Sequence, residues 1–186
     1  MTPSTELNEY AGHIDYLRSL GAADIQHKHG PFVDHLVATA ALLKAWGARE
    51  ALVVAGLFHS TYGTVGFDSE IDIQREALVE RIGAEAEHIV YRFCSSDRRF
   101  LHPLFCEQKS IRFRDRFTGE IDTPAQPVIR DYCELTAANE LELALSNERF
   151  RIKHRAHLLR LFSGMRDSLS SAAWERASSV FAEVPN

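Results

Sequence analysis

Nine histidines punctuate the 186-residue chain, and three fall in one string, HKHGPFVDH, at His27, His29 and His35. A fourth, His59, ends the apolar run AGLFHS. Neutral imidazole is the commonest side-chain ligand of transition ions, and near neutral pH it also serves as a general base. His35 stands near the start of one expected helix and His59 at the finish of the next. A short link at Trp46-Gly47 makes those helices antiparallel and brings the two histidines to one end of the pair. Such a pair on rigid supports is the beginning of a metal site. The same spacing also suits two buried imidazoles bonded to carbonyls or to each other. His13, His88, His102, His154 and His157 carry no partner motif and read as helix or surface residues.

Two further groups of residues have chemical potential. Tyr62 and Thr64 follow His59 in a glycine-containing loop, where Tyr62 could donate a proton and Thr64 could line a pocket mouth. Alternatively they satisfy backbone groups in a turn. The stretch RRFLHPLFCEQKSIRFRDRF concentrates arginines, and Arg112, Arg114 and Arg116 are candidates for clamping an anionic substrate. A solvated charged face over an apolar one is the plainer reading of that alternation. Cys94, Cys106 and Cys133 sit beside no evident base and read as small core residues.

The elements that must position these residues are almost all helical. Leu7, Tyr10, Ile14 and Leu17 recur at helical spacing, with Gly21 as a stop. A second helix is expected from Pro31 to Trp46-Gly47, and a third from about Ala48 to His59. Asp72 is placed to cap a fourth helix that closes at Ile82-Gly83, and a fifth buries Ile89, Val90 and Phe93. Between 96 and 126 the helical signal fails, and IRFRDRF followed by Thr118-Gly119 suggests a hairpin or irregular excursion. Helix is expected again from Pro127 to about Ser146, then around Arg151 to Gly164 and Arg166 to Ala182. The fold class is therefore all-α, a single domain over 1–186 with its core at about 25–146. The helices of 150–182 either pack on that core or form a homodimer surface.

Bulk properties narrow the function classes. A net charge of −5 argues against a nucleic-acid partner, which calls for a basic surface. Three cysteines, with no C-x-x-C pair, fit a reducing, cytoplasmic setting better than a disulfide framework. The polar start MTPSTELNEY does not resemble a signal peptide, and no apolar run nears the ~20 residues of a membrane span. The expected partner is thus a small molecule, with anionic character if the arginines take part.

The strings HGPFVDHLVATAALLKAWG, AGLFHS and RIGAEAEHIVYRF resemble, in order and spacing, the HD-domain superfamily. The nearest likeness is to the (p)ppGpp hydrolase domains of stringent-response proteins, over roughly His27 to Glu142. AGLFHSTYGT and ANELE also resemble an uncharacterised HD-like family. The resemblance implies an HD-domain-like helical bundle. It makes His35 and His59 metal ligands and sets Asn139 at the fourth ligand position. His27 falls near a substrate-contacting arginine of those hydrolases, and His29 is available as a third imidazole or a catalytic group. The pattern also departs from the family: Ser60 stands where the superfamily has its metal-binding aspartate. The Glu-Asp pair that follows the motif in those hydrolases is replaced by Gly63 and Thr64.

With Ser60 and Asn139 standing where the superfamily has two aspartate ligands, hard ions such as Mg²⁺ lose most, and one divalent transition ion (iron, manganese or zinc) is the expected cofactor. Four readings follow. The first is a metal-dependent hydrolase with His59, Tyr62 and His29 as catalytic residues and His27, Ser60, Thr64, Arg112 and Arg114 around the substrate. The second is an iron-dependent oxygenase. The third is a ligand-binding module that has lost its metal, and the fourth is a metal-free acid–base enzyme.

Overall fold

The computed structural model describes residues 7–27, 30–69 and 71–182. They form nine α-helices and two small two-stranded ladders, an all-α fold in two compact units, Met1–Cys94 and Ser95–Asn186. None of the described helices is long and apolar enough to cross a membrane.

The first unit opens with a 3-10 turn, Asn8–Tyr10, running into α1, Ala11–Ser19. Leu7, Tyr10, Ile14 and Leu17 are buried, at the spacing that defines the helix's inner face. A short antiparallel ladder pairs β1, Gln26–His27, with β2, Gly30–Pro31. Next come α2, Phe32–Ala45, and α3, Glu50–Phe58. Pro31 precedes α2 as its cap in an extended conformation and is not the first helical residue. This follows from its fixed φ and missing N–H, which suit either position. Every residue of α3 from Leu52 onward is buried, so this helix forms the centre of the unit and packs along α2.

Two helices complete the unit, α4, Arg75–Ile82, and α5, Ala84–Ser95. The expected cap, Asp72, lies outside α4: the helix starts after Gln74, which makes no side-chain cap. Its first residue, Arg75, is tied instead to Glu87 of α5. Gly83 joins the two helices at φ +84°, a left-handed conformation that favours glycine.

The second unit begins with a helix that the sequence pattern hid. α6, Arg98–Cys106, occupies part of the stretch expected to be irregular. Asp97 caps it by accepting from the N–H groups of Arg99 and Phe100, and Leu101 and Phe105 bury one face. Pro103 removes one internal donor but leaves the other helical bonds in place, so the element survives a residue that usually ends one. The hairpin expectation holds for the remainder. β3, Phe113–Arg114, pairs with β4, Ile121–Asp122. Asp115 closes the turn by accepting from the N–H groups of Phe117 and Thr118.

α7, Gln126–Ser146, is the longest element and starts with Pro127 in its first turn. Asn147 caps α8, Glu148–Met165, and a 3-10 turn leads to α9, Ser171–Ala182. α8 and α9 pack against α7 and against each other, and α8 also packs on α6. The α6–α8 approach is so close that a Cβ on Gly164 would run into the Phe105 carbonyl oxygen. Glu134 of α7 reaches the start of α9, where it accepts from the Ser170 N–H.

Candidate functional site

His59 follows the last residue of α3, where the final carbonyls of the helix have no partner of their own. Its Nδ1 lies 2.8 Å from the carbonyl oxygen of Gly56. In the neutral ring this places the proton on Nδ1 and leaves the Nε2 lone pair free to point elsewhere. It points at α2: Nε2 of His35 is 3.2 Å away. The ring centroids are 5.1 Å apart at an interplanar angle of 67°. His35 is 6% exposed and His59 0%, so the pair sits below the surface with His35 as its outer member. Phe93 of α5 packs edge-on against the His59 ring.

The 3.2 Å separation has two chemical meanings. It is a hydrogen-bond length for one imidazole donating to the other. It is also close to the about 3.3 Å expected between two nitrogens that share one tetrahedral ion at about 2.0–2.1 Å. The distance is possible because α2 and α3 approach closely at Gly56. A Cβ there would stand 2.8 Å from Leu43 Cδ1 and 3.1 Å from Ala40 Cα.

The segment after His59 is held by side chains that the sequence reading did not connect. Cys94 donates its thiol to the His59 carbonyl at 3.1 Å. Tyr62 donates its hydroxyl to Glu87 at 3.0 Å. Glu87, 3% exposed at its side chain, takes a two-pronged contact from Arg75, at 2.7 and 2.9 Å. The Arg75 guanidinium in turn lies 3.6 Å over the Tyr91 ring. Burial, and then the neighbouring Glu87 carboxylate, push the Tyr62 phenol far above its ordinary range. Tyr62 therefore fits a loop anchor, and its environment disfavours loss of its proton. Thr64 is buried and pairs its backbone with Phe67, while Ser60 and Thr61 are buried beside the helix end.

Of the other expected site residues, His29 lies outside the described residues, and His27 is described in its backbone alone. Among the described residues no group of three or more His, Cys, Asp or Glu side chains is arranged to hold a metal ion. In sequence, Asp34 precedes His35 on α2, and Ser60 and Thr61 follow His59.

Arg112, Arg114 and Asn139 belong to the second unit. Arg114 lies 4.2 Å over the Phe100 ring and 3.5 Å from Asp97, and Arg112 lies 5.9 Å over the same ring. Asn139 is buried on α7 and donates to Glu140, which Arg98 approaches at 3.7 Å. Nearby on α6, His102 sets Nε2 3.1 Å from the Tyr132 hydroxyl. Burial, with Arg98 and then His157 adding to it, holds His102 down to about 3, so its ring is neutral at physiological pH. Burial pushes the Tyr132 phenol up to about 12.

Neither the curated proteins nor the solved structures contain a match to this chain. Residues 16–98 match the model of a family described as a domain of unknown function (DUF6817), a stretch that contains His35, Gly56, His59, Tyr62 and Glu87.

Proposed function

We propose that His35 and His59 hold one divalent transition ion and that the protein is a metal-dependent enzyme acting on a small molecule, with hydrolysis as the reaction. One observation carries this reading: two buried Nε2 atoms stand 3.2 Å apart, and the bond from His59 Nδ1 to the Gly56 carbonyl puts the lone pair of that ring on the Nε2 facing His35. The resemblance to HD-type motifs around His35 and His59 supports it. Imidazole donors suit iron, manganese or zinc better than magnesium or calcium. A bound ion of this kind would supply Lewis acidity and lower the pKa of a coordinated water to about 7.

The chain's own groups have separate tasks in this reading. The Gly56 carbonyl fixes the tautomer and direction of the His59 ring. Ser60, at the position of the superfamily's aspartate, offers a neutral hydroxyl, so the charge of a divalent ion stays largely uncompensated and an anionic substrate group is favoured. Tyr62 and Glu87 tie the loop that follows His59 to α5. The low exposure of both rings excludes bulk water and strengthens every electrostatic contact at the site.

A metal-free acid–base pair is the second reading, and the same separation supports it as an imidazole–imidazole hydrogen bond. Elemental analysis of protein purified anaerobically and without chelator separates the two. One equivalent of iron, manganese or zinc is expected in the wild type, and none in His35→Ala or His59→Ala. Metal retained in both variants, or wild-type protein that neither carries nor takes up an ion, overturns the metal reading.

A further inference from the structure

We propose that the outer face of α8 docks the protein onto anionic phospholipid surfaces. This face belongs to the second unit, and its role does not depend on the metal reading. α8 carries five arginine or lysine residues and one glutamate, in a chain whose net charge is −5. Leu158, Leu161, Phe162 and Met165 turn inward and are buried. Arg149, Ile152, Lys153, Ala156 and Arg160 are exposed and recur at three- and four-residue spacing, so they share the opposite face. From Arg149 to Arg160 that face runs about 16 Å, and its exposed residues include no carboxylate.

The cations nearer the core are engaged within the fold. Arg151 lies 3.6 Å from Glu148, and Arg155 donates its Nε to the Phe181 carbonyl at 2.8 Å. Arg149, Lys153 and Arg160 form no ion pair among the described residues. Glu107, whose charge reaches Arg160, is itself held by Lys109 at 2.6 Å. Arg149 and Lys153 repeat one sign at the four-residue spacing where opposite charges stabilise a helix, and an anionic surface relieves that repulsion. Two aliphatic side chains accompany the cations. Ile152 is 55% exposed between Arg149 and Lys153. Leu145, 42% exposed, lies in the last turn of α7, where that helix passes through Asn147 into α8. A bilayer surface takes both kinds of group, cations at its phosphates and aliphatic carbon at the acyl boundary. A nucleic-acid backbone would use the cations alone and leave Ile152 and Leu145 in water.

Co-sedimentation of the full chain with vesicles tests the proposal, using phosphatidylcholine alone and phosphatidylcholine containing about a third phosphatidylglycerol. Wild-type protein should partition onto the anionic vesicles at low salt, release from them at high salt, and ignore the neutral ones. Each basic residue near such a surface is worth about fivefold in partitioning, so the triple variant Arg149→Gln, Lys153→Gln, Arg160→Gln should lose on the order of a hundredfold. Ile152→Ser should weaken binding several-fold while leaving its salt dependence unchanged. All four positions are exposed, so a melting scan should find every variant folded. Wild-type protein that stays off the anionic vesicles at low salt overturns the proposal. Partitioning that survives the triple variant overturns the assignment to α8. Binding to poly(U) as tight as binding to the vesicles, with Ile152→Ser without effect on either, overturns lipid as the partner and assigns the face to a nucleic acid.

Discussion

The Nδ1 of His59 and the carbonyl oxygen of Gly56, three residues apart, lie within 2.8 Å of each other. This one contact closes the end of α3, sets the tautomer of His59 and directs Nε2 toward His35. The residue supplying the carbonyl is also the one whose missing side chain lets α2 come close. Helix termination, helix packing and site geometry therefore share a single position.

Replacing Gly56 with alanine should separate α2 from α3. The new methyl group meets Ala40 backbone at 3.1 Å and Leu43 Cδ1 at 2.8 Å, and only the leucine can rotate away. Overpacking of this sort costs about 1–3 kcal/mol. Chemical denaturation should register that loss. The Co²⁺ affinity of the folded variant should fall with it, because a small change in interhelical distance moves both Nε2 atoms. A Gly56→Ala protein with wild-type stability and wild-type Co²⁺ uptake would contradict this account of the position.

Tyr62→Phe distinguishes a loop anchor from a proton donor. The phenol spends its hydrogen on Glu87, and its surroundings hold that proton firmly. Removing the hydroxyl leaves one oxygen of a buried carboxylate with fewer donors, although Arg75 still pairs with it. A loss of about 1–2 kcal/mol in unfolding free energy is expected, while a hydrolytic turnover, once a substrate is found, should persist. Turnover that falls a hundredfold or more at unchanged stability would restore Tyr62 to the chemical step.

How much of this was legible in the sequence depended on the range of each interaction. His35 and His59 occupy the ends of two apolar helices joined by a short link, so their meeting follows from register alone. Glu87 sits in AEAEH among surface-type charges, and its partners Arg75 and Tyr62 are 12 and 25 residues away. No local pattern marks such a contact. Gly56 reads as a helix-weakening residue until the opposing Ala40 is in view. α6 was hidden because Pro103 interrupts its interior, and its capping Asp97 lies in a charged run. The proximity of two helix ends was readable, whereas the groups that hold the loop and tune the site were not.

His102 gives the second unit a calculable response to acid. Its ring is 3.1 Å from the Tyr132 hydroxyl and is held down to about 3, chiefly by burial. In the unfolded chain the same group titrates at about 6.5. Between these values the unfolded state binds the proton and the folded state does not, so protonation favours unfolding. The contribution of His102 is therefore fully present above about pH 6.5 and is lost progressively as the pH falls toward 3. The slope approaches, and does not exceed, about 1.4 kcal/mol per pH unit for one proton. His102→Gln removes the titration and keeps a polar partner for Tyr132. Urea denaturation at pH 7 and at pH 5 should show a smaller loss of stability on acidification in this variant than in the wild type. Equal losses in the two proteins would mean that His102 takes up its proton in the folded state as readily as in the unfolded one, and that its burial is not maintained in solution.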